Sequence, residues 1–135
     1  MDACDGHHQN WYLRRDEEIM GEILKPDYCL SLKRKWFAKI WNGEKSVEYR
    51  AVTPKYKRLA AWIGEARGVF MMFYIGMMKT GPRMLVQVSK IDVGKCPLEG
   101  FDGEYYRIHF NVVQPYYYDN GVYFPMLEMP RMNEE

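Results

Sequence analysis

The stretch Leu30–Arg50, LSLKRKWFAKIWNGEKSVEYR, changes its hydrophobic period twice, and those two changes decide the fold class. Its start continues an alternation begun by Tyr28 and Cys29. Tyr28, Leu30 and Leu32 fall on one face and Cys29, Ser31 and Lys33 on the other, as in a half-buried strand. Trp36, Phe37, Ile40 and Trp41 then recur at helical spacing and draw an apolar stripe along about two to three turns. Asn42-Gly43 supplies the left-handed residue on which such a helix ends. SVEYR returns to a period of two. Alternation predicts Val47 and Tyr49 inward, with Ser46, Glu48 and Arg50 sharing the opposite face.

Upstream, WYLRRDEEIMGEIL predicts a short helix through Leu13, Ile19, Met20, Ile23 and Leu24, stopped by Lys25-Pro26; residues 1–27 read as an accessory arm. Downstream, Thr53-Pro54 has the form of an N-cap with proline at the first helical position. It opens a second short helix carrying Tyr56, Leu59, Ala60 and Ile63, with Trp62 at its edge. The rest reads as sheet. VFMMFYIG is an apolar run short enough for a strand buried on both faces, and MLVQVSKIDVG is a long alternating strand with a bend. EYYRIHFNVV puts Tyr106, Ile108, Phe110 and Val112 on one side, which leaves His109 facing solvent. In PYYYDNGVYFP, Asn120-Gly121 is a two-residue hairpin turn. Residues 28–125 thus predict one α+β domain, a small mixed β-sheet curling into a barrel plugged by two short helices. Residues 126–135 read as a flexible tail.

Composition narrows the function classes. No run reaches the roughly 18 apolar residues of a membrane span, and MDACDGHHQN has neither the basic nor the apolar region of a signal peptide. Cys4, Cys29 and Cys96 are odd in number and scattered, which suits a reducing compartment, so a cytoplasmic location is expected. Cys4, His7 and His8 make a candidate metal trio but sit in what reads as a mobile accessory arm, and neither metal nor cofactor is expected. The net charge of +1 hides segregation. Ser31–Arg67 holds ten Lys/Arg against three Asp/Glu, an excess of seven, so the remainder carries a deficit of six. Such a block gives either one positive face suited to an anionic partner or a solvated surface whose fields cancel.

The same stretch resembles the ASCH domain, a branch of the PUA-like superfamily. Its signature Gly-x-Lys-x-x-Glu-x-Arg is met by Gly43, Lys45, Glu48 and Arg50. The preceding strand-helix form is matched by Leu30 to Phe37. FYIGMMKTGPRMLVQVSKIDVGK and EYYRIHF are similar to later strands of small bacterial and phage members, and the likeness spans about Tyr28 to Val113. It departs at Ile75-Gly76, where relatives have Asn-Gly, and at GFDGE, where they have Gly-Ala-Glu. The resemblance implies a PUA-like barrel with a cleft beside the first helix that binds RNA or a modified nucleotide. Lys33, Lys45 and Arg50 would hold phosphates or a carbonyl, and Glu48 a base amino group. Trp36 or Tyr74 would stack on the base, unless both belong to the core. Strict alternation sets Lys45 opposite Glu48, so a bulge or strong twist would have to unite them.

Two other readings stand beside this one. Some ASCH proteins are amidohydrolases that remove the acyl group of N4-acetylcytidine, and others are described as ribonucleases; in either, Lys45 and Glu48 would be catalytic. The hydrolase branch has threonine where this chain has Glu48, leaving Ser46 as the nearby hydroxyl. A carboxylate there also opposes the proton loss that a lysine base requires. Lastly, the aromatic hairpin either forms an exposed interaction patch or covers the barrel's open end.

Overall fold

The computed structural model describes residues 21–66 and 68–135. Eight elements follow in the order β1 (Tyr28–Leu32), α1 (Arg34–Trp41), β2 (Val47–Ala51), α2 (Pro54–Glu65), β3 (Val69–Ile75), β4 (Gly81–Lys95), β5 (Glu104–Asp119) and β6 (Val122–Pro125). The strand–helix–strand–helix opening and the α+β class follow the expected pattern. Thr53 Oγ1 accepts from the Tyr56 N–H at 3.4 Å, with Pro54 at the first helical turn, so α2 begins where its cap chemistry places it.

The strands form one mixed sheet in the order β1-β3-β4-β5-β2, with β6 hydrogen-bonded to β5 beyond β2's reach. Only β1 and β3 run parallel; α1, β2 and α2 form their crossover. Leu30, Leu32, Met71, Phe73, Met84, Val86, Ile108 and Phe110 line the inner face. Phe37, Ile40 and Trp41 of α1 and Leu59 and Ile63 of α2 pack onto them as one core. The ladder does not close, because β1 and β2 remain edge strands. The sheet is therefore open, and the two edges are joined by a side chain: Arg50 Nη2 donates to the Ser31 carbonyl at 2.7 Å.

Two one-residue bulges, at Ser89 in β4 and Val113 in β5, decide which side chains face inward. Each inserts an unpaired residue and flips the alternation beyond it. After Val113, Tyr117 turns inward, while Tyr116 and Tyr118 join Met72, Leu85 and Tyr123 in a second cluster on the outer face. Tyr116 and Tyr123 are buried there, so the aromatic hairpin is packed instead of forming an open patch. Because β5 runs on through Pro115, the last barrel strand and the first arm of the hairpin, separate in the sequence reading, are one strand.

Residues 126–135, read from the sequence as a flexible tail, are placed against the body of the fold. They have no regular structure but lie against α1, with Met126 buried and Met129 and Met132 packed on the core. Trp41 Nε1 donates to the Pro130 carbonyl at 2.7 Å. Asn42 exchanges two hydrogen bonds with the Met132 backbone, at 2.9 and 2.8 Å. Side-chain amide and indole groups satisfy a strandless backbone, which composition does not reveal. The expected N-terminal helix falls mostly outside the described residues. Its last four positions, 21–24, are not helical, and Glu22 bridges Tyr123 in antiparallel fashion. Among the described residues no helix is long and apolar enough to cross a membrane.

Candidate functional site

α1 ends at Asn42, and the chain reverses through Gly43, at a φ of +79° that L side chains rarely adopt. Residues 44–46 are irregular and β2 starts only at Val47. Lys45 is thus outside the strand's alternation, free to reach Glu48 three residues on without a bulge. That reversal unites the pair that strict alternation separates.

β2 itself faces opposite to expectation. Glu48 pairs in register with Ile108 and Arg50 with Tyr106, both inward-facing residues of β5. Val47 and Tyr49 instead stand beside His109 and Arg107 on the outer face. Alternation assigns the apolar residues inward because lone charges are expensive to bury; here the charge enters the core with both neutralising partners. Glu48 is only 5% exposed. Its Oε1 contacts Lys45 Nζ in a short ion pair. Its Oε2 accepts from Arg50 Nε at 3.0 Å and lies 2.9 Å from Nη2. Arg50 Nη1 donates to the Tyr56 hydroxyl at 2.9 Å. One guanidinium therefore ties β2 to α2, to β1 and to the buried carboxylate.

Lys45 and Glu48 border a hollow of about 60 Å³, walled by Trp36, Tyr49, Phe101 and Tyr105 and completed by Cys96 and Leu98. The Lys45 ammonium lies 5.8 Å from the Trp36 ring centre and 5.7 Å from that of Tyr49, within cation–π reach of both. The loop 96–103 between β4 and β5 supplies the cover. Phe101, 41% exposed, meets Trp36 and Tyr105 edge-on at 6.3 and 6.2 Å. Burial, aided by the adjacent Cys96 thiol, pushes the Tyr49 phenol up from its usual range, so it stands as a neutral hydroxyl at physiological pH.

The six residues singled out from sequence divide. Lys45 and Glu48 floor the hollow and Trp36 walls it while packing on the core. Arg50 adjoins through Glu48 but does not line it, being committed to structural partners. Lys33 is exposed at the start of α1 and makes no ion pair among the described residues. Tyr74 is elsewhere: on the outer face of β3, under the Arg83 guanidinium at 4.7 Å, where it cannot stack on anything held by Lys45. Tyr49, Phe101 and Tyr105 were missed as site walls. The clue lay in Phe101 and Tyr105 of GFDGEYY, aromatics at a loop–strand junction that no hydrophobic period requires.

His109 faces outward as expected. There Asp92 accepts from Arg107 Nε at 2.7 Å and Nη2 at 3.1 Å, and its Oδ1 lies 3.3 Å from His109 Nε2. Cys4, His7 and His8 lie outside the described residues. No cluster of three or more His, Cys, Asp or Glu suited to a metal occurs among the described ones. No protein-family model matches the chain, and no curated protein or solved structure is significantly similar to it.

Proposed function

We propose that this chain is an ASCH-type, PUA-like domain that binds single-stranded RNA or a modified nucleoside at the hollow beside Lys45. One observation carries the reading: a carboxylate buried to 5% exposure is held between Lys45 and Arg50 at the base of an aromatic-walled recess. A base would lie among Trp36, Tyr49 and Tyr105, with the Lys45 ammonium donating to its carbonyl or to a neighbouring phosphate. Exposed Lys33 and Lys35 extend the positive surface along α1 for further phosphates. At about 60 Å³ the recess is far below the roughly 300–1,000 Å³ of ligand sites. Loop 96–103 must therefore lift Phe101 away for a base to enter. Binding has more support than catalysis, because Glu48 occupies the Lys45 ammonium.

The test is fluorescence anisotropy of a labelled single-stranded RNA against the full chain. With about three phosphates gripped, the logarithm of affinity should fall with that of salt at a slope near −2. Lys45→Met should weaken binding about tenfold or more while the chain stays folded. A flat salt response, or unchanged binding by the folded variant, contradicts the reading. Release of acetate from N4-acetylcytidine, lost in Lys45→Met, would establish the hydrolase in its place.

A further inference from the structure

A second hollow, sharing no residue with the first, opens between α1, the start of β4, β5 and the C-terminal segment. Its volume of about 510 Å³ lies within the range that small-molecule ligands occupy. Trp41, Met78, Tyr117, Met126 and Met132 give it an apolar wall, and Arg34 stands at its edge. Arg34 is half-buried and spends only Nε, donated to the Asn133 carbonyl at 3.1 Å. Nη1 and Nη2 have no hydrogen bond or ion pair among the described residues.

A second observation concerns the end of α1 that carries Arg34. Lys33 stands at the N-cap and Arg34 and Lys35 follow. The first turn has no acidic residue, and no side chain caps its N–H groups. The helix dipole already makes this end positive, so three added cations repel it and one another. An anion seated at Arg34 would relieve that repulsion. A bare inorganic anion would leave the apolar wall unused, whereas a purely apolar ligand would leave the guanidinium unpaired.

We propose that this hollow is a ligand site for a small organic anion with an aromatic or branched apolar body. The body lies against Trp41, Met126 and Met132, and a carboxylate or sulfonate receives the two free Arg34 nitrogens as a bidentate pair. This inference is independent of the reading of Lys45.

The experiment titrates the full chain with 1-anilinonaphthalene-8-sulfonate, following its fluorescence and the indole N–H resonances of ¹⁵N-labelled protein. One saturable site is expected, with the shift at the Trp41 indole, assigned through Trp41→Phe, whose N–H is held by Pro130. The Trp36 and Trp62 indoles should not move. Arg34→Gln should weaken binding about tenfold, as expected for loss of a charged hydrogen-bonding partner. Lys57→Gln, the same charge change on α2, should leave it unaltered. Naphthoate should compete and inorganic phosphate should not. Folded Met132→Trp, which fills the hollow while keeping the Arg34 charge, should abolish binding, and it serves if Arg34→Gln unfolds. Binding retained in Met132→Trp or unweakened in folded Arg34→Gln, a shift at Trp36 or Trp62 instead of Trp41, non-saturating binding, or equal competition by phosphate would each overturn the proposal.

Discussion

Two carboxylates stand back to back across the sheet, each among basic side chains, and they differ in almost every physical respect. Glu48 on the inner face is buried, with Lys45 on one oxygen and Arg50 on the other. Asp92 on the outer face is about one-third exposed, with Arg107 and His109 beside it. Between them runs β5, whose Ile108 points to Glu48's side while Arg107 and His109 point to Asp92's. The inner pair count cannot be altered without stranding a charge in the core, whereas water can replace any partner outside. Similar charge arithmetic therefore yields a fixed framework on one face and an adjustable surface on the other.

The sharpest way to break this contrast is to remove Arg50. Arg50→Met strands Glu48 Oε2, the Tyr56 hydroxyl and the Ser31 carbonyl together and unties the two sheet edges. Urea unfolding should show a loss of about 3–5 kcal/mol, the usual cost of orphaning a buried ion. A loss below 1 kcal/mol would place the triad among ordinary surface pairs. Lys45→Met should be milder, about 1–3 kcal/mol, since Lys45 borders the hollow and Glu48 keeps Arg50. That gap between the two cations separates the structural partner from the one available to a ligand.

The C-terminal segment offers an intermediate case, where neutral groups are satisfied away from any strand. Asn42→Ala removes both side-chain bonds to Met132 and should lower stability by about 1–2 kcal/mol. Limited proteolysis should then clip beyond Met126 faster than in the wild type.

Asp92 supplies the outer-face prediction. Hydrogen bonds from Arg107, then from His109, hold its carboxyl at about 2 against an ordinary 3.8. Because the folded value is the lower one, the associated stability is fully present above about pH 4 and fades as pH falls toward 2. The Asp92 carboxyl ¹³C resonance should titrate near 2 and move toward 3.8 in Arg107→Gln. Wild-type titration already near 3.8 would dissolve the cluster. The smallest effect is expected at Gly94. An added methyl there would run into the Arg107 guanidinium, a flexible group that can swing away. Gly94→Ala should shift the Asp92 titration upward and leave the melting temperature nearly unchanged.

What could be read from sequence follows the same division. α1 and α2 were legible because their apolar stripes and the Thr53-Pro54 and Asn42-Gly43 ends are local signals. The Asn120-Gly121 turn was legible likewise, with both residues at positive φ. The facing of β2 was not, since alternation cannot anticipate that Glu48 takes Lys45 and Arg50 inside with it. Nor could a period of two survive the bulges at Ser89 and Val113, which pass Tyr116 to the outer face and Tyr117 to the inner. The position of Tyr74 is not legible either, because strand pairing, invisible in one sequence, carries it to Arg83. The closure of loop 96–103 over Lys45 is invisible to any local pattern, because it depends on a contact between Phe101 and Trp36, distant in sequence.

The most direct test of the inner face as the ligand floor maps a short single-stranded RNA onto the amide and indole resonances of the full chain. The predicted pattern has the largest shifts at the Trp36 indole and at Lys45, Phe101 and Tyr105, with Asp92 and His109 unmoved. Shifts centred on Asp92, Arg107 and His109 with the Trp36 indole silent would contradict it.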